Sequence, residues 1–119
     1  MGQSFAVQGE RDVSQARLFV LEECRASVLL SLCDDAALLT SEVVTNAIRH
    51  AASGSVTVRA ERDGDTFVVQ VLDGSRREPS VLPTDPWDER GRGMALVDAL
   101  ALDWGVVPHP SGKVVWFRL

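Results

Sequence analysis

Between Ser55 and Asp73 apolar and polar residues alternate with a period of two, in two stretches, SVTVRAER and TFVVQVLD, that flank Asp63-Gly64. Only an extended strand sends every second side chain to the same face, so each stretch predicts a strand with one side turned to a core. An Asp-Gly dipeptide tolerates the positive φ of a tight turn, which makes the pair a β-hairpin with antiparallel strands. The rest of the chain has to cover the apolar face of that hairpin.

The cover comes from helices. Val13 to Leu32 reads as a helix with Ala16, Leu18, Phe19, Val20, Ala26, Val28 and Leu29 at its apolar positions. A second helix restarts at Asp34, with Asp34 or Asp35 as its expected N-cap, and fades near Ser53-Gly54. On a wheel of ~100° per residue, Leu39, Val43, Val44, Ala47, Ile48 and Ala51 form its apolar arc. Upstream, Ser4 to Val7 suits a short edge strand. After Asp73 the pattern dissolves into GSRREPSVLPTDPWDER, where Pro79, Pro83 and Pro86 deny both helix and ladder. A loop of this length in a small domain is a functional element or a mobile one. GRGMALVDALA then predicts a helix with Met94, Val97, Leu100 and Ala101 on one face. Two strands, Asp103 to Val107 and Lys113 to Leu119, close the chain around a turn at Pro108 to Gly112.

With 119 residues, 45% of them hydrophobic and 24% charged, the chain suits one domain over 1–119 with a modest core. A net charge of −5, with acidic residues spread throughout, argues against a nucleic-acid surface built on a basic patch. Cys24 and Cys33 lack a second pair or histidines at metal-ligand spacing, so both are expected to be reduced and buried. No apolar run reaches membrane-spanning length, the N-terminal MGQSFAVQGERD lacks the shape of a signal peptide, and Ser4 falls too early for a myristoylation pattern. The expected location is cytoplasmic, with no membrane contact.

Three features carry chemistry. Glu42 and Asn46 stand one helical turn apart at the edge of the second helix's apolar arc, so a carboxylate and an amide lie side by side. An amide oxygen suits Mg²⁺ that also holds phosphates, and a carboxylate beside it can take a proton from an attacking hydroxyl or water. Gly91-Arg92-Gly93 opens the late helix, where free N–H groups and the helix dipole favour an anion; it has neither the Lys-Ser/Thr of a P-loop nor the third glycine of a dinucleotide fingerprint. Asp73 ends a strand just before the long loop, where its carboxylate could accept from the exocyclic amine of adenine. Taken singly, each has an ordinary structural account: a solvated helix edge, a hinge before a helix, an Asp-Gly turn.

Their order is what carries a resemblance. Helix with Glu42 and Asn46, hairpin, strand ending at Asp73, proline-rich loop, GRG at a helix start and a final GKVVWF hairpin resemble the GHKL ATPase superfamily from about Val13 to Leu119. SEVVTNAIRHA looks like its N box, VLDGS its G1 box, GRGMALV its G2 box, and the proline-rich loop its ATP lid. The short chain and the wording of the N box resemble the small bacterial regulators related to anti-sigma factor serine kinases. The resemblance implies a two-layer α+β sandwich of the Bergerat type, with helices on one face of a mixed, mainly antiparallel sheet. It implies ATP and Mg²⁺ as cofactors, Glu42 as general base, Asn46 as Mg²⁺ ligand, Asp73 as adenine acceptor, and Gly91, Arg92 and Gly93 as the phosphate-side hinge of the lid. His50 matches a histidine of this branch one further turn along, near the nucleotide, although spacing alone favours a surface or core histidine. Arg49 could pair with Glu42, meet a phosphate or simply be solvated.

Two positions depart from the pattern. Ser75 stands where gyrase-like G1 boxes carry glycine, and Val114 is the nearest place for a Thr or Ser that helps hold the adenine. Trp104, Trp116 and Phe117 are expected to pack, and Trp87, inside the lid, to cover the nucleotide or meet a partner. Two functions follow. One is a regulatory serine/threonine protein kinase of the anti-sigma factor type that phosphorylates a small antagonist protein. The other is a nucleotide-binding anti-sigma-like regulator that acts by binding the antagonist or a sigma factor and transfers nothing. A homodimer is compatible with either.

Overall fold

The computed structural model describes residues 3–27, 29–50, 56–74 and 89–119, the side chains of residues 3, 10, 50 and 89–93 excepted. Its elements are β1 (Gln3–Val7), α1 (Val13–Ala26), α2 (Cys33–His50), β2 (Val56–Asp63), β3 (Thr66–Asp73), α3 (Glu89–Leu100), β4 (Asp103–His109) and β5 (Gly112–Arg118), with single 3₁₀ turns before each of the first two helices. The strands form one sheet in the order β1-β2-β3-β5-β4, and all four ladders are antiparallel. The expected α+β architecture is present, and the expected edge strand β1 does stand at an edge.

Register divides the sheet into two faces. Val58 pairs with Val71, Ala60 with Val69, Val71 with Val115 and Val69 with Phe117. All of these side chains are at most 2% exposed. They meet the buried stripes of the helices: Ala16, Val20 and Cys24 on α1, Leu39, Val43, Val44 and Ala47 on α2, and Met94 and Val97 on α3. α1 lies against β1 and β2, α2 against β2 and β3, and α3 against α2 and β4. Each fully buried Val, Leu or Phe contributes about 1.5–3 kcal/mol by leaving water. The alternate residues Arg59, Gln70, Val114 and Trp116 face the other way, and Trp116 lies over Gly105, where any Cβ would meet its indole at 2.9 Å.

Some boundaries differ from expectation, each for a local reason. The first helix stops at Ala26, not Leu32, because Ser27 closes it: its hydroxyl donates to the Cys24 carbonyl at 2.6 Å and its N–H is shared between the carbonyls of Glu23 and Cys24. Leu30–Leu32 then makes a 3₁₀ turn that runs into α2 at Cys33, so Asp34 and Asp35 lie inside the first turn, where carboxylates favour the positive helix end, and neither is the N-cap. Leu18, Ala26 and Leu100 are exposed, so the apolar faces of α1 and α3 are narrower than the sequence suggested. The hairpin loop is Gly64-Asp65, one residue later than the Asp63-Gly64 signal, since Asp63 still pairs with Thr66; the positive φ, 63°, falls on Gly64. β4 runs on to His109 and β5 begins at Gly112, which shortens the last turn to Pro110-Ser111. Cys24 and Cys33 are buried free thiols whose sulfurs both donate to the Leu29 carbonyl at 3.5 Å, and burial beside Cys33 pushes the Cys24 thiol up to about 12. The expected lid with Ser75 and Trp87, and Ala51, lie outside the described residues.

Gly112 has a φ of 153°, and a Cβ there would collide with the Asp73 carbonyl oxygen and approach Gly74 Cα to 2.8 Å. Gly64 has open space around it. Gly112→Ala is therefore expected to lower unfolding free energy by about 2 kcal/mol or more, through strain and overlap together, and Gly64→Ala by about 1–2 kcal/mol through φ alone. Urea unfolding of the two variants checks the order, and equal losses would show that the close approach of β5 to Asp73 is not as described.

Candidate functional site

α2 carries the first half of the site. Its buried stripe, Leu39, Val43, Val44 and Ala47, fixes the rotation of the helix, and that rotation leaves Glu42 and Asn46 half-buried at the stripe's edge, one turn apart. The i, i+4 spacing sets the two on one side of the helix. Neither side chain hydrogen-bonds to another described side chain or backbone group, so the carboxylate and the amide are both available for a ligand. Thr40, also on α2, is fully buried and spends its hydroxyl on the Ala36 carbonyl at 2.7 Å. Arg49 is exposed, and the side chain of His50, which ends α2, lies outside the described residues.

The second half sits at the end of β3, the strand against which α2 packs. Asp73 belongs to the same alternation as Phe67, Val69 and Val71, so it points to the helix side of the sheet and is 2% exposed. It is an ionisable group among apolar neighbours. Its cross-strand partner on β5 is Lys113, 3% exposed, whose Nζ donates to Oδ1 at 3.0 Å. Val114, which the sequence reading named as the nearest place for a Thr or Ser, pairs with Leu72 on the outer face, and Lys113 is the residue that faces Asp73. A period-two count along GKVVWFRL, started from the buried Val115 and Phe117, was the signal that could have found it.

α3 begins at Glu89, so Gly91, Arg92 and Gly93 form part of its first turns and α3 packs directly on α2. The helix thus starts two residues before Gly91, where the sequence reading opened it; the Arg92 side chain lies outside the described residues. Among the described residues no group of three or more His, Cys, Asp or Glu side chains could hold a metal ion alone. A Mg²⁺ held by Asn46 would thus need phosphate oxygens and waters for the rest of its shell, which is how this hard ion is ordinarily bound beside nucleotides.

The sequence profile of the histidine kinase-like ATPase domain matches residues 7–119. The chain belongs to this family. No curated protein matches the chain. Membership implies ATP binding, and it accounts for the succession of α2, the β2–β3 hairpin, α3 and the β4–β5 hairpin that the fold displays. No described helix is long and apolar enough to cross a membrane.

On the other face of the sheet a cavity of about 260 Å³ is lined by Thr57, Arg59, Gln70, Leu72, His109 and Val114. Of the family motifs only Leu72 of VLDGS lines it, none of Glu42, Asn46 and Asp73 does, and the sheet separates it from α2. Asp73 lies on the helix side of the sheet, against which α2, the helix of Glu42 and Asn46, is packed.

The ion pair of Asp73 and Lys113 also has a structural weight that the surface pairs of this domain lack. Removing one partner of a buried pair leaves the other charge uncompensated, at about 3–5 kcal/mol, whereas Arg118, which reaches Asp63 at 3.0 Å and Asp103 at 3.5 Å, makes solvent-exposed pairs worth about 0–1 kcal/mol each. Lys113→Ala is expected to cost at least ~2 kcal/mol more unfolding free energy than Arg118→Ala. Comparable losses in chemical denaturation would mean that Lys113 is not buried against Asp73.

Proposed function

We propose that this histidine kinase-like ATPase domain is a regulatory serine/threonine protein kinase of the anti-sigma factor type, which uses Mg²⁺ and ATP to phosphorylate a small antagonist protein. The observation that carries the reading is the pair Glu42 and Asn46, half-buried and without described hydrogen-bond partners, one turn apart on the helix that packs between α3 and the strand ending at Asp73. A helix edge that served only solubility would not need a carboxylate and an amide held half-buried with their polar atoms unspent.

In this reading each residue has one task. Asn46 would hold the metal through its amide oxygen, and Mg²⁺-ATP, when bound, supplies the phosphoryl group together with the charge neutralisation that phosphoryl transfer requires. Asp73 accepts from the exocyclic amine of the base. Glu42 orients the seryl or threonyl hydroxyl and takes its proton as the hydroxyl oxygen gains the phosphoryl group and ADP leaves. The free N–H groups of the first turn of α3, up to Gly91 and Arg92, face the phosphates, and Arg92 balances their charge. The antagonist, or a sigma factor bound by the same regulator, is the partner.

Asn46→Ala is expected to lose most of the Mg²⁺-dependent part of ATP affinity in calorimetry, while the binding seen without Mg²⁺ stays; nucleotide affinity that ignores this substitution would remove Asn46 as metal ligand. Glu42→Ala is expected to leave ATP affinity within a few-fold and to reduce phosphate transfer to the antagonist by roughly 10²-fold or more, the usual contribution of a positioned base. Full transfer by that variant would place the base elsewhere. An unaltered protein that holds its partner with ATP bound and never transfers phosphate would be the regulator that works by binding alone.

A further inference from the structure

The outer face of the sheet holds a set of polar groups that the chemistry above leaves unused, and the register brings them around one cavity. Thr57 stands opposite Leu72 and Leu72 opposite Val114, so these three make a row across β2, β3 and β5; Arg59 stands opposite Gln70 in the next row, and His109 comes from β4. The six residues line the space of about 260 Å³, the room of roughly nine waters of the liquid. Because β3 and β5 lie between β2 and β4, the floor is the apolar pair Leu72 and Val114, and the polar residues stand around it.

Each of those polar side chains can donate a hydrogen bond. Arg59 is exposed and makes no hydrogen bond or ion pair with a described residue, Glu61 on the same face of β2 included. The Gln70 amide and the Thr57 hydroxyl are likewise unspent among the described residues. His109 Nδ1 accepts from the Ser111 N–H at 3.1 Å, and a backbone N–H can only donate, so the proton of the neutral ring is on Nε2, from which no described group accepts. No Asp or Glu lines the cavity, although acidic residues outnumber basic ones 17 to 12 in the chain.

We propose that this cavity is a binding site for a small organic carboxylate with an apolar body, a second site that does not depend on the assignment of ATP above. The guanidinium fork of Arg59 matches a carboxylate, with the Gln70 amide directly beside it, and the apolar body covers Leu72 and Val114. An inorganic anion would pair with the arginine but leave the apolar floor in water, a neutral molecule of the same shape would forgo the charged hydrogen bond, and a cation would meet the arginine with no carboxylate to offset it.

The probes are hexanoate, acetate, hexanamide and inorganic phosphate, titrated separately into the ¹⁵N-labelled protein while its backbone amide NMR signals are followed. Hexanoate is expected to give saturable shifts at Thr57, Arg59, Gln70, Leu72, His109 and Val114 with a dissociation constant in the millimolar range or below. Acetate and phosphate, which lack the apolar body, and hexanamide, which lacks the charge, are each expected to bind about 10-fold more weakly or worse. Arg59→Met keeps an apolar stem at an exposed position and should not disturb the core; in it the preference for hexanoate over hexanamide is expected to vanish, and in Arg59→Lys to be reduced but present. No saturable shift at these six residues, or shifts centred elsewhere, overturns the proposal. Equal affinity for hexanoate and hexanamide overturns it too, since no charge is then read, and phosphate or acetate binding as tightly as hexanoate overturns it by showing a plain anion contact. A preference for hexanoate that survives in Arg59→Met would place the carboxylate on another group and equally contradict it.

Discussion

A carboxylate placed on the buried face of the sheet next to the Val71–Val115 pair has to be compensated, and that requirement organises this end of the domain. Asp73 lies on the buried side of β3 only because the strand keeps strict alternation through its last residue. Lys113 compensates it only because β5 begins in a register that sets the two side chains opposite each other. That register in turn needs glycine at 112, since β5 approaches the end of β3 too closely for any side chain there. One buried charge thus ties together the strand end, the last hairpin and the composition of the turn between β4 and β5.

The same economy is visible on α2. The helix is held by a stripe of buried residues that includes Leu39, Val43, Val44 and Ala47, and the orientation they impose is what brings Glu42 and Asn46 to a half-buried edge instead of to solvent or to the core. A slip of one residue in this packing would rotate the pair by about 100° and remove both from the site. The apolar stripe of α2 fixes Glu42 and Asn46, and the alternation of β3 fixes Asp73.

Much of this could be read before any coordinates. Strict alternation on either side of Asp63-Gly64 gave the central hairpin, because period two has no helical interpretation, and the wide apolar arc from Leu39 to Ile48 gave α2 with Glu42 and Asn46 at its margin. The errors have a common cause. Ends of elements depend on hydrogen bonds that no periodicity encodes, such as the Ser27 hydroxyl closing α1 on the Cys24 carbonyl, so the first helix was expected to run six residues too far. The face of a strand residue near a turn follows the alternation of its strand, and counting back by two from Phe117 and Val115 sets Lys113, and not Val114, opposite Asp73. A lysine reads as solvated in any one-dimensional pattern, and only the opposing Asp73 makes it a core residue.

The central claim is that nucleotide binds on the helix side of the sheet, among α2, the end of β3 and the start of α3, and not in the cavity of the outer face. Backbone amide NMR of the ¹⁵N-labelled protein during titration with Mg²⁺ and a non-hydrolysable ATP analogue tests it most directly. The account predicts saturable shifts at Glu42, Asn46, Asp73, Gly93 and Lys113, with Arg59, Gln70 and His109 unmoved. Shifts concentrated at Arg59, Gln70 and His109, with Asn46 and Asp73 unmoved, would contradict it.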